Sequence, residues 1–220
     1  MTVDAAHTVR RAALAAAIAA IAAAGCKTGG TSGPPIVQPG APGQSTRVID
    51  AKTASDLSKI QPTAADVQFM QGMIGHHAQA LEMAALLPSR TSREEMKLLA
   101  KRIEISQADE IKMMQQWLRN HGAAAPPGDA HAHHGPLMPG MLTPEEMSRL
   151  AKAKGVEFDR LFLELMIKHH DGALVMVQQL FSTPGAGQES DIYAFASDVD
   201  ADQRMEIDRM GAMLAQLTSR

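Results

Sequence analysis

Two stretches of this 220-residue chain repeat each other, and a twice-repeated helix pair leaves few folds open. Asp66, Phe69, Met73, Ile74, His76 and His77 recur as Asp159, Phe162, Met166, Ile167, His169 and His170. All six share one offset, 169 − 76 = 93, and Ala80 with Ala173 and Met83 with Met176 extend the match. A second segment follows each copy. Gln107, Glu110, Ile111 and Met114 recur as Gln203, Glu206, Ile207 and Met210, offset by 203 − 107 = 96. The link between the helices is therefore three residues longer in the second copy.

Each segment carries a helical period. Met70, Met73, Ile74, His77, Leu81 and Ala84 recur at spacings of three and four, which puts them on one face. Thr63 to Asp66 gives an acidic start and Pro88 a stop, while Thr91 or Ser92 caps a second helix ending near Asn120. Thr143-Pro144-Glu145-Glu146 opens a short helix with a cap followed by proline. The third repeat helix is predicted from about Glu157 to Phe181, and the last from near Ser190 onward. Four amphipathic helices with mostly short links predict an all-α, four-helix bundle of two hairpins. With aromatics at only 3%, its core must be filled by Leu, Ile, Ala and Met.

Before the repeats, Arg10 and Arg11 precede an apolar run from Ala12 to Ala24 that ends in Gly25-Cys26. This is the layout of an export signal, and the run is short for a membrane span. Ala23-Ala24-Gly25-Cys26 resembles a bacterial lipobox, with Ala23 where a larger aliphatic residue is commoner. Lipidation of Cys26 would anchor the chain to a membrane outside the cytoplasm. It would also leave no free thiol, because Cys26 is the sole cysteine. The expected layout is a lipoprotein-type signal peptide over 1–25 and a lipid anchor with a flexible Gly/Pro/Ser-rich tether over 26–61. Repeat one then spans 62–122, a His/Met-rich linker 123–142, and repeat two 143–220. A net charge of −3 without a basic run gives no electrostatic footprint for nucleic acid.

The chemistry lies in the doubled histidines. At 100° per residue, His77 falls mid-face beside Met70, Met73 and Ile74, and His170 falls beside Met166 and Ile167. At least one imidazole per repeat is thus expected in the interior, where it needs a hydrogen-bond partner or a metal. Two readings stand side by side. In one, His77 and His170 pair with Glu110 and Glu206 as internal glue of a structural or protein-interaction bundle. In the other, imidazole and thioether bind a soft ion, with Met73–His77 and Met166–His170 as neighbours at i,i+4. A carboxylate di-metal oxidase is a third and weaker reading, because no Glu or Asp stands three residues before any of the four histidines. The linker adds His131, His133, His134, Met138 and Met141, a flexible tract suited to metal capture. No nucleophile–base array, phosphate loop or Cys-x-x-Cys occurs, so enzyme activity is not expected.

The Phe69–Met83 pattern, its second copy, and the paired Gln107/Glu110/Ile111 and Gln203/Glu206/Ile207 segments resemble the DUF305 family. That resemblance covers roughly Pro62 to Leu217. It implies ferritin-like helical packing and, from exported copper-resistance members, copper as Cu(I) or Cu(II) bound through Met and His. The implied ligands are Met73, His76, His77 and Met83 with Met166, His169, His170 and Met176. Asp66, Glu110, Asp159 and Glu206 would orient them. Expected partners are the membrane, through the lipid, and a protein that donates or accepts copper. Leu163 in place of Met70 and Val177 in place of Ala84 make the copies unequal.

Overall fold

The computed structural model describes residues 36–38, 46–55, 60–128 and 137–218. The expected signal peptide, Cys26, and His131, His133 and His134 lie outside the described residues. Two compact units divide the chain, Met1–Asp56 and Leu57–Arg220. In the first, where a flexible tether is expected, β1 (Ile36–Gln38) pairs antiparallel with β2 (Arg47–Ile49), followed by a single turn of helix, α1 (Ala51–Ala54). Ile36 stands opposite Ile49 and Val37 opposite Val48, a register of β-branched residues suited to a pleated ladder.

The second unit holds the repeats. Helices α2 (Ala64–Arg90) and α3 (Glu94–Asn120) form one hairpin, and α5 (Gly155–Ser182) and α6 (Ser190–Thr218) form the other. The short α4 (Pro144–Lys152) lies between them in sequence. α2 packs along α3, α5 along α6, and the hairpins meet chiefly through α2 on α5. The expected four-helix bundle is present, with the small sheet and the short helices outside it. No helix among the described residues is long and apolar enough to cross a membrane.

Local chemistry sets the ends. Thr63 accepts from the Asp66 backbone N–H while the Asp66 carboxylate accepts from the Thr63 N–H at 2.6 Å, a reciprocal box worth about 1 kcal/mol. Thr143 and Glu146 repeat the device on α4, with Pro144 in the first turn. Two boundaries differ from expectation. Pro88 does not stop α2, which continues to Arg90 until the Thr91 N–H bonds the Leu87 carbonyl. Pro88 lies so near the end that it forfeits one hydrogen bond without breaking the turns before it. The residue preceding α3 is Arg93, while Thr91 turns back to accept from the Arg93 N–H at 3.1 Å.

The interior divides into two apolar clusters. Along α2, Phe69 to Ile74 belong to one cluster and Ala80 to Leu87 to the other. Along α5 the order is reversed. Phe158 to Met166 join Ala80 to Leu87, and Ala173 to Leu180 join Phe69 to Ile74. The two inner helices therefore run antiparallel. The change-over falls at His76–His77 on one helix and at His169–His170 on the other.

Candidate metal centre at the helix crossing

All four histidines are buried, each with no exposed surface. Adjacent helical positions point about 100° apart, so full burial of both needs cover on two sides. One imidazole of each pair faces its own hairpin partner. His77 donates from Nε2 to Glu110 Oε2 at 2.5 Å, and His170 donates to Glu206 Oε2 at 2.6 Å. The other imidazole faces its counterpart across the crossing, with the His76 and His169 ring centroids 3.9 Å apart. His76 lies 6.4 Å from His77 and His169 lies 6.2 Å from His170, centroid to centroid. The four rings thus cluster in the middle of the bundle, and both carboxylates stand close by, since Glu110 interacts with His170 as well as His77 and Asp202 with both glutamates.

The electrostatics follow from burial. Burial pushes Glu110 up, but the hydrogen bond and charge of His77, the Ser106 hydroxyl and the nearby His170 outweigh it and hold the carboxylate below its ordinary value. Burial drives His169 well below the ordinary histidine value of 6.5, reinforced by the neighbouring His76, His170 and His77, so this ring is neutral. Neither His169 nitrogen meets a hydrogen-bond partner in good geometry, and the His76 backbone offsets the shift only slightly. The Nδ1 atoms of His77 and His170 are likewise buried without a partner. Asp202, one turn before Glu206, is raised by burial and by the nearby charges of Glu110, Glu206 and Asp198.

The sequence-predicted residues divide into those the fold gathers and those it does not. The four histidines, Glu110 and Glu206 come together. Met73 and Met176 lie in the apolar cluster on one side of the four imidazoles, and Met83 and Met166 in the cluster on the other. Asp66 and Asp159 stand ten residues before the histidines along their helices, roughly 15 Å away. Asp66 serves a helix end instead, capping α2 and accepting from the Gly187 N–H at 2.7 Å. Burial pushes Asp159 up against the opposing charge of Arg93, and both its carboxylate oxygens are buried without a well-aligned hydrogen-bond partner. Among the described residues, no three His, Cys, Asp or Glu side chains are placed to hold one cation between them.

The linker's role is not legible in its composition. His76 donates from Nε2 to the Pro139 carbonyl at 3.0 Å, so residues 138–142 lie over the crossing as a strap. Gln79 clasps the strap with both ends of its amide, donating to the Leu142 carbonyl at 3.0 Å and accepting from the Leu142 N–H at 2.7 Å. The counterpart of Gln79 at the 93-residue offset is Gly172. A Cβ there would collide with the Pro139 carbonyl, and one on Gly140 would fall 2.6 Å from the Lys168 carbonyl. The available signal was the break in the repeat, because Gln79 and Gly172 differ where their neighbours match. Within the strap Met141 is buried, and Met138 places its sulfur over Gly72, beside the Met176 methyl.

Comparisons with known proteins agree with this architecture. Among curated proteins, none matches the chain. A DUF305 protein from Streptomyces coelicolor is 32% identical, with TM-score 0.60, covering 70% of this chain and 94% of its own. A DUF305 fragment from Deinococcus radiodurans is 30% identical, with TM-score 0.59, covering 71% and 99%. CopM in its Cu(I)-bound form is 27% identical, with TM-score 0.55, covering 69% and 96%. It has also been solved in Cu(II)-bound, Ag-bound and apo forms. The profile described as "Domain of unknown function (DUF305)" matches residues 66–214, spanning both hairpins, and the chain therefore belongs to the DUF305 family.

Proposed function

We propose that this chain is an exported, membrane-tethered protein that binds copper through Met and His, to sequester the ion or pass it to a partner protein. The observation that carries the reading is the state of the imidazoles. Glu110 and Glu206 each accept the Nε2–H of a buried histidine, so the ring nitrogen left without a hydrogen-bond partner, and open to a metal, is Nδ1. A carboxylate behind a ligating imidazole is the usual way proteins fix such a ring. The donor chemistry fits copper. Among the described residues the soft donors are thioethers, because the sole cysteine is Cys26. Because, among the described residues, no three ionisable side chains hold a common cation position, the fitting sets are the Met73–His77 and Met166–His170 pairs rather than a four-histidine cage. His76, His169, Met83 and Met176 flank them. When bound, copper would supply a soft cation for storage or transfer, and this reading assigns no catalysis to the chain.

Two likenesses support the reading. CopM was solved with Cu(I), Cu(II) and Ag bound, and the Streptomyces relative is described as a candidate secreted protein. The arginine pair and lipobox-like Cys26 supply the tether, and the linker histidines with Met138 and Met141 supply a capture tract. The same His–Glu bonds favour one rival, a bundle in which the network only docks the helices.

Cu(I) titration under reducing conditions, with a competing chelator and a Cu(II) series beside it, separates the two. The chain with His77→Gln and His170→Gln should bind less copper and keep its helical circular dichroism. The chain with His131, His133 and His134 changed to Ser should keep tight binding and lose only weak sites. No copper uptake by the unaltered chain, together with a large loss of stability in the His77/His170 variant, would leave the structural reading in its place.

A further inference from the structure

The hairpins meet chiefly through α2 and α5, and the outer helices α3 and α6 leave a cleft between them on the side of Glu110 and Glu206. Two cavities lie along it, the first of about 420 Å³ and the second of about 260 Å³. They adjoin, because Ser106 in the wall of the second bonds Glu110 in the wall of the first at 2.9 Å. The part of α3 that lines them, from Arg102 to Asn120, rises about 27 Å, enough to lie beside a helix of about 18 residues.

The walls suit an apolar chain. Met70, Met113, Trp117, Phe195 and Val199 line the first cavity, and Met205 lines the second. Met113 and Met205 are 53% and 56% exposed, so two thioethers face the cleft from its rims. Such side chains re-pack readily around whatever settles on them, which is why they recur on surfaces that bind helices. Charge narrows the occupant further. The first cavity has Glu110, Asp191 and Asp198 in its walls and no Lys or Arg. Asp202, in the second, is raised by burial and by the charges of Glu110, Glu206 and Asp198, which Arg102 offsets only in part. Negative charge is therefore crowded along the middle of the cleft, with Arg102 and Arg209 in the second cavity alone. At the 96-residue offset Met113 corresponds to Arg209 and Asp198 to Arg102, so the repeat has exchanged these charges between the two cavities.

We propose that this cleft docks a basic amphipathic helix of a partner protein, its apolar side chains in the first cavity and its Lys or Arg side chains against Asp191 and Asp198. A helix laid between two others turns one apolar face to both, while its charged flanks meet the rims. Arg102 and Arg209 repel basic residues from the other end, so the charge pattern sets which way the helix runs. Glu110 and Glu206 line the cleft and bond His77 and His170, so the docking face backs onto the imidazoles. The proposal rests on the copper reading, in which the ion passes to or from a partner, and names the surface that partner uses.

Trp117 is the only tryptophan in the chain and lines the first cavity, which makes its emission a local reporter. The probe is a synthetic peptide of about 18 residues with Leu and Lys on opposite faces of a helix, titrated into the full-length chain beside a scrambled peptide of the same composition. The expected result is a Trp117 shift that saturates at one equivalent, with the scrambled peptide at least about tenfold weaker. Asp191→Asn with Asp198→Asn, and separately Met113→Lys, change exposed residues and should each weaken binding about tenfold with helical circular dichroism unchanged. Asp109→Asn with Glu157→Gln, an equal change of charge outside both cavities, should leave binding as it was. Binding that every variant shares, or no Trp117 response, would overturn the docking site. A concentration-dependent dimer in sedimentation that Met113→Lys abolishes would also overturn it, by giving the cleft to a second copy. Copper uptake on the same samples separates the two readings. Uptake without peptide binding overturns the docking site alone, and no uptake overturns the copper reading beneath it.

Discussion

The two hairpins carry the same His–Glu pair and treat it differently on both sides. In the first, His76 has the Pro139 carbonyl, Gln79 clasps the strap, and Glu110 looks into a cavity with Met70 and Met113. In the second, His169 has no well-aligned partner, Gly172 lies bare beneath the strap, and Glu206 stands among arginines. The buried hydrogen bond is common to both and is what the repeat preserves. These departures lie where the hairpin meets the linker or the cleft. The common part docks helices, and the departures are where the halves acquire separate tasks.

The common part can be tested by breaking it. Glu110→Ala and Glu206→Ala each strand a buried imidazole N–H, and each should cost about 3 kcal/mol in urea denaturation. Equal losses would confirm that the pairs are structurally equivalent. A loss confined to one would show that the symmetry is only geometric.

His169 contributes a pH dependence of its own. Burial holds His169 below 6.5, so beneath that value the unfolded metal-free chain takes up a proton that the folded chain refuses. Stability from this group is therefore complete above 6.5 and declines as the pH falls towards the folded value, with a slope of at most about 1.4 kcal/mol per pH unit. His169→Gln should flatten that slope in denaturation curves taken across the window. An unchanged slope would locate the acid sensitivity elsewhere.

The smallest effect on stability sharpens the cleft comparison. Arg209→Met gives the second cavity the thioether that the first has in Met113, and the change is on an exposed residue. Stability should move by no more than about 0.5 kcal/mol. A loss well beyond that in urea denaturation would show that Arg209 supports Asp202 or Glu206, which line the same cavity.

Much of this was legible in residue spacing, because the repeat fixed both the helix count and the helix pairing. The His–Glu bonds were readable too, since Glu110 and Glu206 fall on the apolar faces of their helices at matching positions. Asp66 and Asp159 were misleading. They repeat as faithfully as the histidines, but shared register says nothing about distance along a helix axis; Asp66 caps a helix, and Asp159 is buried about 15 Å from the histidines. The strap could not be read from composition, because its hold depends on one amide at Gln79 and one missing side chain at Gly172. The asymmetry of the cleft was hidden for a similar reason. Arg102 belongs to the first repeat in sequence but lines the cavity of the second.

The clasp also shapes how the chain reaches this state. Gln79 and Leu142 are 63 residues apart, and the Pro139 carbonyl can settle only where Gly172 is already in place. Each hairpin assembles from contacts close in sequence, which form quickly, whereas the strap needs both hairpins docked before it has a seat. The order of events therefore has the four imidazoles assembled first and covered last. Until the strap is seated, the His76 side of the crossing lacks the cover that residues 138–142 give it.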